Sequence, residues 1–211
     1  WPAERIETLY NRINVEAVQA EQVPREVARE YLGLPQGAWI VGNAGRLHPD
    51  KDQATLIRAF AEALPQLPAA SLLAIMGSGR LESSLKVLAM ELGVSESVRF
   101  LGQVQNGRRY FKAFDVFALT SDHEPFGMVL LEAMAAGVPL ICSDCGGAPE
   151  VVGNVGQVFA LGDVQGLAGK LLQVPSSDAL SEAMLSRLQQ LFSDHAAAES
   201  FRALSVSSSW V

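Results

Sequence analysis

Short runs of continuously apolar residues alternate along this chain with longer stretches in which apolar positions recur every three or four residues. The runs at 39–44, 71–76, 98–101, 115–119, 138–142 and 157–160 predict strands, and the periodic stretches at 53–64, 81–92, 108–113, 127–136, 163–172 and 178–192 predict helices. Strands joined by helical crossovers imply a mainly parallel sheet with both faces covered. The expected fold is therefore α/β, a doubly wound Rossmann-like sheet of about six strands with helices on both faces. Residues 1–35 read differently, as a connector with an extended segment at 10–14 and a short amphipathic helix near 25–32. The Rossmann-like unit is assigned to 36–175, and 176–211 to carboxy-terminal helices and a Ser-rich tail, with no internal repeat.

Ligands of doubly wound sheets sit beyond the carboxyl ends of the strands, so chemistry is expected in the loops at 45–51, 77–80, 102–107, 120–127 and 143–150. The fourth loop opens Ser121-Asp-His-Glu-Pro-Phe-Gly-Met-Val-Leu-Leu-Glu132, which holds two carboxylates. Glu124 lies in the polar loop, and Glu132 lies about one turn inside the helix that follows, so both can face one ligand. Between them the amides of Gly127, Met128 and Val129 are helix-start donors without an intrahelical acceptor, a seat for phosphate flanked by acceptors for hydroxyls. A ligand combining phosphate with many hydroxyls is a nucleotide sugar. A second anion seat is expected in Gly42-Asn-Ala-Gly-Arg-Leu-His-Pro-Asp-Lys51. Gly45 lets backbone approach a ligand, Arg46 can grip phosphate with two parallel hydrogen bonds, and Lys51 adds a point charge. Alone this segment reads as a surface loop with two solvated cations; beside a second phosphate seat it reads as a diphosphate site that needs no metal.

Composition narrows the classes. Sixteen basic and 23 acidic residues give a net charge of -7 with no basic run, which argues against a nucleic-acid surface and requires any anion site to be local. A 49% hydrophobic content over 211 residues suffices for a large core. The longest apolar stretch, 128–142, is broken by Glu132, Gly137 and Pro139 and falls short of a membrane span, so a soluble, cytoplasmic protein is expected. The start, Trp1-Pro-Ala-Glu-Arg-Ile, has no signal-peptide pattern and no initiator Met, which suggests an excised fragment. Cys142 and Cys145 form a C-x-x-C pair without the further ligands of a zinc site, and are expected to be reduced, buried small residues.

The order and spacing of several short motifs resemble the donor-binding domain of retaining GT-B glycosyltransferases, the large family that includes lipopolysaccharide-core and sucrose-synthase type enzymes. The motifs are G-R-L-x-x-x-K at 45–51, F-L-G at 100–102, A-F-D-V-F at 113–117, E-P-F-G at 124–127, L-E-A-M-A-A-G-V-P at 131–139, G-G-x-x-E at 146–150 and G-D at 162–163. The resemblance implies that Arg46 and Lys51 hold the diphosphate and that Glu124 contacts the donor sugar. It further implies that Glu132 accepts from the ribose, that backbone near Gln103 and Val104 meets the base, and that Phe126, Gly127, Met128 and Val129 present amides. Gly45 and Gly77 would line the donor site. Pro125 stands where the family commonly has glycine, which stiffens the loop.

By the same resemblance the donor is an NDP-sugar, with UDP-sugar the expected form, and no cofactor is needed. The acceptor would be a glycan or lipid-linked molecule held by an amino-terminal domain that these 211 residues lack, and any peripheral membrane contact would belong to the full-length protein. A lipopolysaccharide or surface-glycan pathway is the expected setting. The alternatives are a GT-B-type epimerase or phosphorylase, or a binding module without catalysis. His48 and His123 fall in site-facing loops, with His123 expected to face away from the ligand, and His195 is expected in solvent. Gly77-Ser-Gly79 lacks the third glycine of a dinucleotide fingerprint. Tyr110 and Phe114 are expected in the core, and Glu150 either faces the site or merely begins a helix.

Overall fold

The structure, a computed structural model, describes residues 8–175 and 178–203. Six strands, β1 Ile40–Ala44, β2 Leu72–Met76, β3 Val98–Gly102, β4 Val116–Leu119, β5 Leu140–Ser143 and β6 Gln157–Phe159, form one sheet in the order β3-β2-β1-β4-β5-β6. Every neighbouring pair is parallel. The order turns around between β1 and β4, which opens a crevice at their carboxyl ends.

Both faces are buried, and alternate residues supply them. On one face Val41, Leu73, Ile75, Val116 and Ile141 pack with Leu56 and Phe60 of α3 Gln53–Ala63, Leu85 and Leu88 of α4 Glu82–Glu91, and Leu167 of α7 Val164–Leu171. The other face presents Ile40, Leu72, Phe117, Leu119 and Leu140. It is covered by α1 Val15–Glu21, α2 Arg25–Tyr31, α5 Met128–Ala135, α6 Ala148–Val152 and α8 Asp178–Leu191. This double burial explains why the strands are nearly continuous apolar runs without alternation.

The first and last described segments join the second face. Ile13 makes an isolated parallel bridge with Ser193, its N–H donating to Phe192 O at 2.9 Å. Val15 and Val18 share a core with Met184, Leu188 and Phe192. Helix α9 Asp194–Ala203 follows, and the Ser-rich stretch at 206–209 lies outside the described residues. Among the described residues no helix is long and apolar enough to cross a membrane.

Three local details differ from the sequence reading. Helix α1 follows the extended segment, capped by Asn14, whose Oδ1 accepts from Ala17 N–H at 2.8 Å. The segment expected as a helix at 108–113 is a 3-10 helix, Gly107–Ala113, that starts from Asn106 in the left-handed region at φ 52°. Gly127 is the cap of α5 with φ 98°, and the helix begins at Met128. The connector is further tied by Arg29, which is 1% exposed. Its guanidinium donates to the carbonyls of Ala113 at 2.9 Å and Gln36 at 2.5 Å and pairs with Asp115 at 3.0 Å. Asp115 in turn accepts from Ile40 N–H at 2.7 Å, so one charge cluster joins α2 to the starts of β1 and β4.

Candidate functional site

A cavity of about 800 Å³ opens at the carboxyl end of the sheet. Its floor is made by Ala44, Gly45 and Arg46 after β1 and by Met76, Gly77 and Ser78 after β2. Gln103 and Val104 follow β3 on one side, continued by the 3-10 helix through Asn106, Gly107, Arg108 and Phe111. Val129 and Glu132 of α5 close the other side. Seven residues selected from sequence, Gly45, Arg46, Gly77, Gln103, Val104, Val129 and Glu132, therefore share one lining.

The floor exists because two loops lie closer than side chains allow. Gly77 has φ +130°, and a Cβ there would fall 1.9 Å from Gly45 O; a Cβ on Gly79 would fall 2.4 Å from Leu47 O. Backbone bonds hold this approach, with Gly45 N–H donating to Met76 O and Leu47 N–H to Ser78 O, both at 3.0 Å. Gly77-Ser-Gly79 is thus a packing device for the cavity floor. Gly77→Ala is expected to destabilise the protein by roughly 2 kcal/mol or more, combining left-handed strain with a backbone clash. Urea unfolding would show a lower midpoint at unchanged slope, whereas a midpoint like that of the parent would mean the floor can shift without cost.

Beside the cavity stands an ion pair, Lys51 Nζ to Glu124 Oε2 at 2.6 Å, with side chains 20% and 11% exposed. Lys51 ends the 3-10 turn Pro49–Lys51, and its stem lies within 3.7 Å of the place where a Gly45 Cβ would stand. Glu124 Cγ lies 3.7 Å from the corresponding point at Gly127. The pair therefore spans the gap between the two expected anion seats. Two bonds bind its supporting loops together, Thr120 Oγ1 to Lys51 O at 2.9 Å and Asp122 N–H to Asp50 O at 3.0 Å. The Glu124 carbonyl accepts from Gly147 N–H at 2.9 Å, and Gly146, at φ +63°, comes so near that a Cβ would fall 2.0 Å from that oxygen.

Arg46 is exposed and has no ion-pair partner among the described residues. The start of α5 has neither a capping side chain nor an acidic residue in its first turn. Its amides are available to an anion, and the helix dipole favours one there. Met128 is 39% exposed at this start. Phe126 does not line the cavity; its ring packs 6.3 Å from Tyr10 and 5.7 Å from Phe192, which anchors the Glu124 loop to both ends of the described chain.

Glu132 is half-buried, and that burial raises its pKa, with Arg108 opposing the rise and Glu21 adding to it. Arg108 had no part in the sequence reading. It reaches the cavity wall because Glu21 of α1 holds its guanidinium by two hydrogen bonds, Nε to Oε2 at 2.8 Å and Nη2 to Oε1 at 2.9 Å. Its partner lies 87 residues away, beyond any local pattern.

Other polar residues are engaged elsewhere. His48 Nδ1 sits 3.1 Å from Asp50 Oδ2 and its Nε2 3.3 Å from Arg80 Nη2. His123 is exposed, and His195 pairs with Glu199 on the outer surface of α9. Glu150 accepts from Tyr10 O–H at 2.5 Å and does not line the cavity. Tyr110 and Phe114 are buried as expected. Cys142 is buried, which pushes its thiol up to about 12, while Cys145 is only partly buried and donates to Asp122 O at 2.7 Å.

The family described as glycosyl transferases group 1 matches residues 24–190. The N-acetyl-alpha-D-glucosaminyl L-malate synthase of Bacillus anthracis is 31% identical over 191 residues, which are 90% of this chain and 49% of that protein. The lipopolysaccharide core biosynthesis glycosyltransferase LpsE of Rhizobium meliloti is 34% identical over 163 residues, 76% of this chain and 46% of that one. Among solved structures, Anabaena HepE in complex with UDP-glucose is 27% identical with a TM-score of 0.77, covering 96% of this chain and 58% of that one. The chain spans about half the length of the curated relatives it matches.

Proposed function

Since the chain belongs to the glycosyl transferases group 1 family, we propose that it is the donor-binding half of a retaining GT-B hexosyltransferase that moves a sugar from a UDP-sugar to a glycan or glycolipid acceptor. The observation that carries this reading is the polarity of the cavity from one end to the other. Arg46, after β1, and the uncapped start of α5, after β4, offer positive charge at the middle of the sheet, the Glu132 carboxylate lines the α5 side, and the Gln103 and Val104 segment lies beyond β3 at the sheet's edge. Diphosphate, ribose and base fit that sequence of chemistries in order. HepE, whose structure holds UDP-glucose, supports the uridine-linked donor, and LpsE supports a lipopolysaccharide-type acceptor.

In this reading Arg46, Lys51 and the amides of Gly127, Met128 and Val129 neutralise the departing diphosphate, so no metal takes part. Glu124 accepts from sugar hydroxyls, Glu132 from the ribose, and Phe126 positions the loop between them. Charge builds on the leaving oxygen as the glycosidic bond lengthens, and donors fixed in advance stabilise it without reorganisation. The acceptor would be held by a further domain of the full-length enzyme, which would also carry any membrane contact.

Calorimetric titration of this chain with UDP, GDP and ADP tests the reading. UDP is expected to bind selectively, and Glu132→Ala to weaken it by about 10- to 100-fold, the range for a lost hydrogen bond to a charged group. Absence of binding by any of the three, to this chain and to the full-length enzyme, would remove the reading.

A further inference from the structure

We propose that Glu124 makes this site discriminate between the intact sugar nucleotide and the free nucleoside diphosphate, by an exchange of partners in which Lys51 passes from Glu124 to the diphosphate. The proposal rests on the donor-site reading above and assigns that site a preference the reading does not contain. The starting state is the ion pair at 2.6 Å, nearly shielded from solvent and set between Gly45 and Gly127. Lys51 is already neutralised there, whereas Arg46 is not. An arriving diphosphate competes with Glu124 for Lys51, and each ammonium–carboxylate or ammonium–phosphate contact in so sheltered a place is strong.

The cost of the exchange falls on Glu124. With Lys51 in place the carboxylate is 11% exposed, and its other side-chain partner, Ser121 Oγ, is at a long 3.4 Å, so when Lys51 turns away the carboxylate loses its one short contact. A nearly buried carboxylate needs donors. Sugar hydroxyls on the intact donor supply them. A free nucleoside diphosphate supplies none, and its terminal phosphate carries about one more negative charge than the esterified form, directed toward the same carboxylate. In the unliganded site Lys51 and Glu124 therefore neutralise each other, the donor complex gives Glu124 new donors in place of Lys51, and the product complex leaves like charges facing each other. Product leaves, and Lys51 returns to Glu124.

Titration of this chain with UDP and with UDP-glucose, in parent, Glu124→Gln, Glu124→Asp and Lys51→Met forms, tests the proposal. The parent is expected to bind UDP-glucose at least about fivefold tighter than UDP. Glu124→Gln removes the charge and should tighten UDP by about five- to tenfold while weakening UDP-glucose. Glu124→Asp keeps the charge, so it should not show the tightening toward UDP expected of Glu124→Gln. Lys51→Met leaves Glu124 charged and without its cation, and should weaken UDP by more than it weakens UDP-glucose, a result that stands whether or not the glutamine variant folds. UDP binding that is unchanged or weaker in Glu124→Gln, or equal losses for both nucleotides in Lys51→Met, would overturn the exchange while leaving the donor site intact. If neither nucleotide binds the parent, the uridine-linked donor reading falls, and the exchange falls with it.

Discussion

Lys51→Ala in the complete enzyme is expected to lower kcat by about 100- to 1,000-fold while changing the donor KM by no more than about tenfold, the scale seen when one preorganised charge stabiliser is removed. The asymmetry follows from where the lysine stands. In the unliganded protein Lys51 already has a carboxylate at 2.6 Å, so part of what it gains from a ground-state diphosphate is offset by what it gives up at Glu124. The full negative charge on the leaving oxygen develops only as the glycosidic bond breaks, and only there does the lysine gain without offset. Its 20% exposure matters too, because a sheltered charge is screened less than one in open solvent. Arg46, exposed at the cavity, should show a smaller loss of turnover and a larger share in KM. Steady-state kinetics with donor varied at saturating acceptor would measure both. A Lys51→Ala enzyme with normal kcat and raised KM would make Lys51 a binding residue alone.

Arg29→Met carries the largest expected loss of stability, about 3 to 5 kcal/mol, the range for breaking a buried charge pair by removing one partner. The guanidinium is 1% exposed and serves Asp115, Ala113 O and Gln36 O at once, and Pro35 O at 3.3 Å. Burial and the neighbouring Arg25 pull its pKa below the ordinary arginine value, with Asp115 acting in the opposite direction. Methionine fills much of the stem's volume but leaves these oxygens without donors. Asp115 retains Arg25 and the Ile40 amide, which places the effect nearer the lower end of the range. Equilibrium unfolding in guanidinium chloride would report it; a loss below about 1 kcal/mol would show that water enters and replaces the guanidinium.

Most of the fold could be read from the sequence because a parallel sheet buried on both faces writes each strand as an unbroken apolar run. Strand 72–76 is such a run, and so is 116–119. Helix α1 escaped because it is seven residues long and buries only Val15 and Val18, too few positions to establish a period; its signal was Asn14 as a cap. The cavity lining was legible where glycine and charge follow a strand, as at Gly45-Arg46 and Gly77. Arg108 was not, since its place depends on Glu21 in a separate helix. The Lys51 and Glu124 pair joins residues 73 positions apart. Sequence placed both residues at one ligand and did not show that they hold each other.

The bridge between Ile13 and Ser193 has a mechanical consequence. Because the two segments run parallel, tension drawing residue 8 away from residue 203 loads this neck in shear, alongside the Arg12 to Asp194 contact and the ring of Tyr10 set edge-on to Phe192. The sheet beyond it carries no load until the neck yields. The ring of Phe126 packs on both Tyr10 and Phe192 of that neck, so a pull that loosens it reaches the Glu124 loop before it reaches any strand, and the site is strung to the ends of the described chain rather than isolated from them.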